Sequence, residues 1–271
     1  IGVLSMACEF LIPKKIISGN DALKAAAKSL ASYGSKALIV TDPIMRKLGN
    51  LDVLTKLLDA NGIAYAIYDK ADSEPIDTMV YEGLMCFIDK GCDFLIALGG
   101  GSPIDTMKAI ALMCEHKGPI SDFMGTIFVG KVCPMVAIPT TAGTGSEATQ
   151  FSIITDTTTK VKMLLRGEVL IPLLAIIDPV FTLSVPKRVT SFTGIDALCH
   201  AIESYTSRLA QPLSQVFSLS ASKLIFNNLT TCYDNPKNID ARSAMSLAAL
   251  QAGIAFNNSS VTIIHGMSPP I

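Results

Sequence analysis

An apolar run, Phe94 to Leu98 (FLIAL), passes without a spacer into Gly99-Gly100-Gly101, then into Ser102-Pro103 and a helix-forming segment, Ile104 to Cys114. A strand too apolar to alternate must be covered on both faces, and delivery through glycines into a helix is the junction of a parallel βα unit. Other segments follow the same grammar. Ala37 to Thr41 (ALIVT) stops at Asp42-Pro43, Tyr65 to Tyr68 precedes a helical pattern over Asp77 to Lys90, and Val136 to Ile138 and Ala175 to Ile177 add two more strands. These elements predict an α/β, Rossmann-like nucleotide-binding domain, preceded by a small hairpin around Glu9 to Ile17. The last third reads as long helices, so a boundary is expected near Ser184 to Lys187, with an α/β domain over 1–185 and an all-α helical domain over 186–271.

Composition narrows the function. The 271 residues carry 22 basic and 23 acidic side chains, a formal charge of -1, which removes the electrostatic footprint of a nucleic-acid binder. A charged fraction of 17% against 49% hydrophobic residues excludes disorder as the main state. The apolar stretch Val169 to Ile177 is broken by Pro172 and stopped by Asp178, too short for a bilayer crossing. No secretory leader pattern opens the chain, and seven widely spaced cysteines form no zinc-like pairs. A cytoplasmic protein with reduced thiols and no membrane partner is the expectation.

The glycine junction is a coherent anion site. Glycines let backbone approach a ligand, and first-turn amides receive phosphate oxygens where peptide dipoles favour negative charge. Ser102 before Pro103 is expected to cap the helix, and Asp105 lies in its first turns. An ordinary tight turn explains the same residues, because the run is not the GxGxxG fingerprint. A second loop, Thr140-Thr141-Ala142-Gly143-Thr144-Gly145-Ser146-Glu147, offers clustered hydroxyls after a strand, for phosphate and sugar or simply for itself. Asp42 suits ribose hydroxyls and would repel a 2′-phosphate; it equally suits an Asp-Pro turn.

Sharper chemistry lies in Thr193 to Ser207, TGIDALCHAIESYTS. Asp196 and His200, four apart, place an oxygen and a nitrogen on one helix face. Glu203, three beyond, is expected to be exposed. His265 follows a helical segment over Ser243 to Asn258 and is a candidate third ligand. Such a set suits Fe²⁺, Zn²⁺ or another first-row ion that polarises a substrate oxygen before hydride transfer to nicotinamide. A surface Asp/His pair and an unrelated histidine is the plainer alternative. His116 reads as an exposed helix end, Cys199 points away from His200, and no nucleophilic triad emerges.

Together, GGGSPIDTMKAI, TTAGTGSEAT, IIDP, TGIDALCHAIESY and AGIAFNN followed by His265 resemble the iron-containing, type III, alcohol dehydrogenase family over nearly all of the chain. The resemblance implies a dehydroquinate synthase-like architecture, with substrate and metal between an N-terminal dinucleotide-binding domain and a C-terminal helical one. It maps Gly99, Gly100, Gly101, Ser102 and Asp105 to the pyrophosphate, and Thr140, Thr141, Thr144 and Ser146 to the second cofactor loop. Asp42 maps to a preference for NAD over NADP, and Lys160 or Lys162 to the cofactor ribose. Asp196, His200 and His265 fall at three metal positions; a fourth family histidine lies beyond Ile271, so a truncated helical domain is expected. Many relatives carry a histidine four residues after the third ligand, where Pro269 stands here and relays no proton. No residue is assigned as a mandatory acid or base. The implied activity is reversible NAD-dependent oxidation of a small primary alcohol to its aldehyde with Fe²⁺, in a homo-oligomer. A zinc-dependent polyol dehydrogenase and a non-catalytic nucleotide-binding or interaction fragment are the alternatives.

Overall fold

The computed structural model describes residues 7–267. Its elements, in chain order, are β1 (Lys15–Ser18), α1 (Ala22–Leu30), β2 (Lys36–Val40), α2 (Pro43–Lys47), α3 (Asn50–Ala60), β3 (Ala64–Tyr68), α4 (Asp77–Asp89), β4 (Phe94–Gly99) and α5 (Gly101–Glu115). They continue with β5 (Met135–Pro139), the hairpin β6 (Phe151–Thr155) and β7 (Lys162–Arg166), β8 (Leu174–Ile177), then α6 (Lys187–Thr206), α7 (Pro212–Asp234), α8 (Ile239–Asn257) and the single turn α9 (Ile263–Met267). The architecture is a Rossmann-like α/β unit followed by an all-α bundle.

Six strands form one sheet in the order β1-β8-β5-β4-β2-β3, every pairing parallel. The continuous apolar runs follow from this burial on two faces. Leu38, Val40, Leu95 and Ala97 pack with Val80 of α4 and Ile104, Met107 and Ile110 of α5. Their neighbours Ala37, Ile39, Ile96 and Leu98 pack on the opposite side with Leu23 and Leu30 of α1 and Leu54 and Leu58 of α3. From β2 the chain goes outward to β3 and then back across to β4 and β5. The strand order therefore reverses between β2 and β4, and ligands of open parallel sheets sit beyond the carboxyl ends at such a point.

Two local expectations are corrected. No hairpin forms around Glu9 to Ile17: residues 9–13 are not strand, and β1 pairs with β8 in parallel. Pro13 has no amide hydrogen to give a ladder, and Leu11 is satisfied instead by side-chain amides, its N–H donating to Asn258 Oδ1 and its carbonyl accepting from Asn257 and Asn258. Ser102 does not cap α5. The helix starts at Gly101, with Gly100 at the cap position and no side-chain cap. The hairpin β6–β7, outside the strands expected from the sequence, turns through Asp156, whose Oδ1 accepts the Thr158 and Thr159 N–H groups.

The helices α6, α7 and α8 pack around Ala197, Ile225, Met245 and Ala248. Two glycines allow a close approach of the bundle to the sheet unit. Gly145 holds φ +62°, and a Cβ on Gly253 of α8 would lie 2.6 Å from the Gly145 carbonyl oxygen. Only two residues without side chains permit this approach, which sets the second hydroxyl-rich loop against the helix preceding His265. No helix among the described residues is long and apolar enough to cross a membrane.

Candidate metal and cofactor cleft

A cavity of about 600 Å³ opens between the carboxyl ends of the strands and the helical bundle. Its sheet-side wall includes Gly101, Ser102, Asp105, Thr144, Ser146 and Lys162; its helical wall includes Asp196, His200, Phe256 and His265. Gly99, Gly100, Thr140 and Thr141 are not lining residues. They adjoin it at the ends of β4 and β5, where Thr140 N–H donates to the Gly99 carbonyl and a Cβ on Gly100 would sit 3.2 Å from Thr141 Oγ1. Asp42 also stands outside the lining. It caps α2, accepting the Ile44 and Met45 N–H groups, and burial raises its carboxyl above the usual range against those bonds. Lys160 occupies the β6–β7 turn at φ 61°, outside the lining, whereas Lys162 reaches the cavity and pairs with Glu74 at 2.9 Å. Position 269 lies outside the described residues.

The uncapped start of α5 and the Thr144–Ser146 loop are locked together. Ser146 Oγ donates to Asp105 Oδ1, and Ile153 N–H donates to Asp105 Oδ2 at 3.0 Å. Beneath them is a residue that sequence reasoning missed. Lys108 is fully buried, and its Nζ donates to Thr149 O at 2.8 Å, Thr149 Oγ1 at 3.0 Å and Phe151 O at 2.7 Å. Burial pulls its pKa down to about 8, with the Asp105 and Glu147 charges opposing, so it remains an ammonium at neutral pH. Glu147, also buried, is pushed up to about 7 by desolvation. A lysine set in the apolar run TMKAIA was the available signal.

On the helical wall, Asp196, His200 and His265 each present one ligand atom, and these atoms lie within 4.8 Å of one another. His200 Nδ1 is 3.9 Å from Asp196 Oδ2, and His265 Nε2 is 3.4 Å from Asp196 Oδ1. The two imidazoles stack at 4.2 Å, and Phe256 covers the His200 ring at 4.4 Å. Burial pushes the His200 pKa down to about 4, against the pull of Asp196, so the ring is neutral at physiological pH. Its Nδ1 is buried without a hydrogen-bond partner. A neutral imidazole with an orphaned buried lone pair beside a carboxylate and a second imidazole fits a borderline divalent cation.

Glu203 is not exposed, contrary to expectation; it is 2% accessible. Its carboxylate accepts from Thr262 N, Ile264 N and His265 Nδ1. Burial alone would raise its pKa, yet these bonds, His265 foremost, hold it down at about 2. His265 is raised, first by its hydrogen bond to Asp196. His116 does end a helix, but it is half-buried, edge-on against Phe123 and Phe128.

A nucleotide-type glycine junction opposed by an Asp/His/His cluster across one cavity is the arrangement of a metal-assisted, nicotinamide-linked dehydrogenase. Comparison with known proteins narrows the class. The model of the iron-containing alcohol dehydrogenases matches residues 13–179, and that of the C-terminal part of the Fe-containing alcohol dehydrogenase family matches 190–271. The NAD-dependent methanol dehydrogenase of Bacillus methanolicus is 42% identical over 261 residues, covering 96% of this chain and 68% of the relative. The choline dehydrogenase of Bacillus subtilis is 37% identical, covering 96% of this chain and 66% of the relative. A solved 1,3-propanediol oxidoreductase superposes with a TM-score of 0.94 at 36% identity, covering 97% of this chain and 69% of that one. The chain thus spans about two thirds of the length of these relatives, and it belongs to the iron-containing alcohol dehydrogenase family. Its activity class is iron-dependent, NAD-linked oxidoreduction of small alcohols or aldehydes.

Proposed function

We propose that the full-length protein catalyses reversible oxidation of a small primary alcohol to its aldehyde with NAD, residues 1–185 binding the cofactor and residues 186–271 carrying the metal ligands. The observation that carries this reading is the opposition of the α5 start and the Thr144–Ser146 loop to Asp196, His200 and His265 across one cavity. Asp196, His200 and His265 would hold Fe²⁺. When bound, the ion supplies Lewis acidity to the substrate oxygen and the nicotinamide accepts the hydride.

The protein's own groups prepare the site. The amides at the uncapped start of α5, with Gly99 to Gly101 and Ser102, receive the pyrophosphate. Thr140, Thr141, Thr144 and Ser146 form the second contact, and Asp105 holds Ser146 in place. Asp42, at the strand-order reversal, would accept from the adenosine ribose hydroxyls and disfavour a 2′-phosphate, and Lys162, or Lys160 in the adjacent turn, would meet a cofactor ribose. Phe256 of α8 covers the His200 face, and Phe151 of β6 stacks on Phe256 in the same lining, so two apolar rings shield that side of the site from water. His200 stays neutral and thus keeps a lone pair for the ion. The relatives include a methanol dehydrogenase and a choline dehydrogenase, so the alcohol is to be found by assay rather than from the family.

The test is metal-resolved turnover. Metal-stripped full-length protein is reloaded with Fe²⁺ or Zn²⁺, and NADH formation is followed over a series of small alcohols. Fe²⁺ is expected to restore activity, and Asp196→Ala to abolish both metal retention and turnover. Turnover that survives stripping would end the metal mechanism, and restoration by Zn²⁺ alone would replace iron by zinc.

A further inference from the structure

We propose that Glu203 is a positioning residue of the metal centre: its buried carboxylate holds a proton of His265 on Nδ1 and so sets Nε2 beside Asp196 as the ligand atom. This rests on the reading of Asp196, His200 and His265 as the ligands.

The two ligand histidines reach the cleft on very different supports. His200 sits mid-way along the twenty-residue α6, its ring held between Phe256 and His265. His265 arrives on a short irregular segment after α8, in which Ser260 holds φ 64° and only the single turn α9 is helical. A ligand on such a segment needs an outside anchor. Asp196, His200 and Glu203 fall at i, i+4 and i+7 of α6 and share one stripe, so the helix that carries two ligands also carries the anchor for the third.

The anchoring is specific in its chemistry. Glu203 Oε1 accepts the Ile264 N–H at 2.6 Å, and Oε2 accepts the Thr262 N–H at 3.1 Å and His265 Nδ1 at 2.6 Å. A carboxylate has no hydrogen to give, so the ring nitrogen facing it carries one. The other nitrogen, Nε2, 3.4 Å from Asp196 Oδ1, also faces a carboxylate while no metal is bound, and it is the nitrogen whose proton the ion would replace. A carboxylate behind a ligating imidazole fixes its tautomer and raises its basicity. The two backbone bonds hold the ring at the right depth.

Glutamine separates this role from simple support of the chain. An amide offers one acceptor face to three donors. With its oxygen toward His265, its NH₂ opposes the Ile264 N–H and the segment draws back. With its NH₂ toward His265, the ring must move its proton to Nε2 and loses its ligand atom. Either orientation damages the ligand without emptying the space.

The experiment uses Co²⁺ as the probe in metal-stripped full-length protein, read by the affinity and by the hyperfine-shifted, exchangeable imidazole N–H signals of the bound state. Glu203→Gln and Glu203→Ala are each expected to weaken Co²⁺ binding about tenfold or more and to abolish or speed the exchange of the His265 N–H signal. If the alanine variant does not fold, the glutamine variant decides. Glu203→Gln binding Co²⁺ within about twofold of wild type, with the N–H signal unchanged, would overturn the proposal. Asp196→Ala and His265→Ala tell which reading failed: if both bind Co²⁺ normally, the ligand assignment falls; if both lose it while Glu203→Gln does not, only the role of Glu203 falls.

Discussion

Replacing Glu147 by glutamine should change how the stability of this protein responds to pH, by an amount the structure sets. Glu147 lies in the 3-10 turn Ser146–Ala148 and is 2% accessible. Desolvation raises its carboxyl from 4.5 to about 7, and the nearby Lys108 charge only partly offsets this. The native protein therefore keeps this proton to about pH 7, whereas the unfolded chain releases it near 4.5. Between those values the native state binds more protons, so stability falls as pH rises through the window and then levels off. At 1.36 kcal/mol per pKa unit, the loss from this group between pH 5 and pH 8 is about 2.5 kcal/mol. His200 works in the opposite direction: its pKa is about 4 when folded against 6.5 when free, so its contribution is gained as pH rises across that interval. The wild-type curve mixes the two slopes, and only the difference between wild type and Glu147→Gln isolates one. Urea unfolding of metal-free, cofactor-free protein, followed by circular dichroism at pH 5 and pH 8, supplies that difference. Glutamine, a neutral isostere, should gain about 2.5 kcal/mol relative to wild type between the two pH values. A difference that is the same at both pH values would mean that Lys108 fully compensates the ionised carboxylate, and the desolvation argument would be refuted.

Two further outcomes follow from close packing and buried charge. Gly253→Ala puts a methyl group 2.6 Å from the Gly145 carbonyl oxygen, a backbone atom that cannot swing aside. The expected cost is about 1–3 kcal/mol in urea unfolding, together with weaker NADH binding by fluorescence titration as the Thr144–Ser146 loop is displaced; unchanged values would contradict the contact. Lys108→Met strips the Thr149 and Phe151 carbonyls of their donor and leaves Asp105 without its neighbouring cation. A loss of about 3–5 kcal/mol is expected in the same unfolding assay, and a loss under about 1 kcal/mol would show that the network is not maintained in solution.

What could be read in the sequence was what short-range physics determines. Ala37 to Val40 and Phe94 to Leu98 announce strands covered on both faces, because every residue of each run is buried, alternately to one side and the other. The Asp196/His200 spacing is equally local: four residues on a helix bring the two side chains together whatever else the chain does. The misreadings all concern groups whose partners are distant. The sequence around Lys15 suggests a local hairpin partner for β1, but its neighbour β8 lies more than 150 residues along, and nothing local records that register. Ser102 has the character of a cap, yet β4 keeps its pairing to Gly99 and the chain is already helical at Gly101, so the serine falls inside the first turn. Glu203 and Lys108 show the same limit at the site itself. An isolated charged residue on a helix is exposed by default, because burial without partners costs more than a fold can recover. Each becomes buried only when a remote segment brings its counter-groups, Thr262 to His265 for Glu203 and Thr149 to Phe151 for Lys108. Two local marks still set them apart from solvated charges. Glu203 continues the Asp196/His200 stripe by one more turn, and Lys108 stands within an otherwise apolar helix face. A charge that breaks the amphipathic pattern beside a candidate site is therefore better read as waiting for a partner from elsewhere in the chain than as facing water.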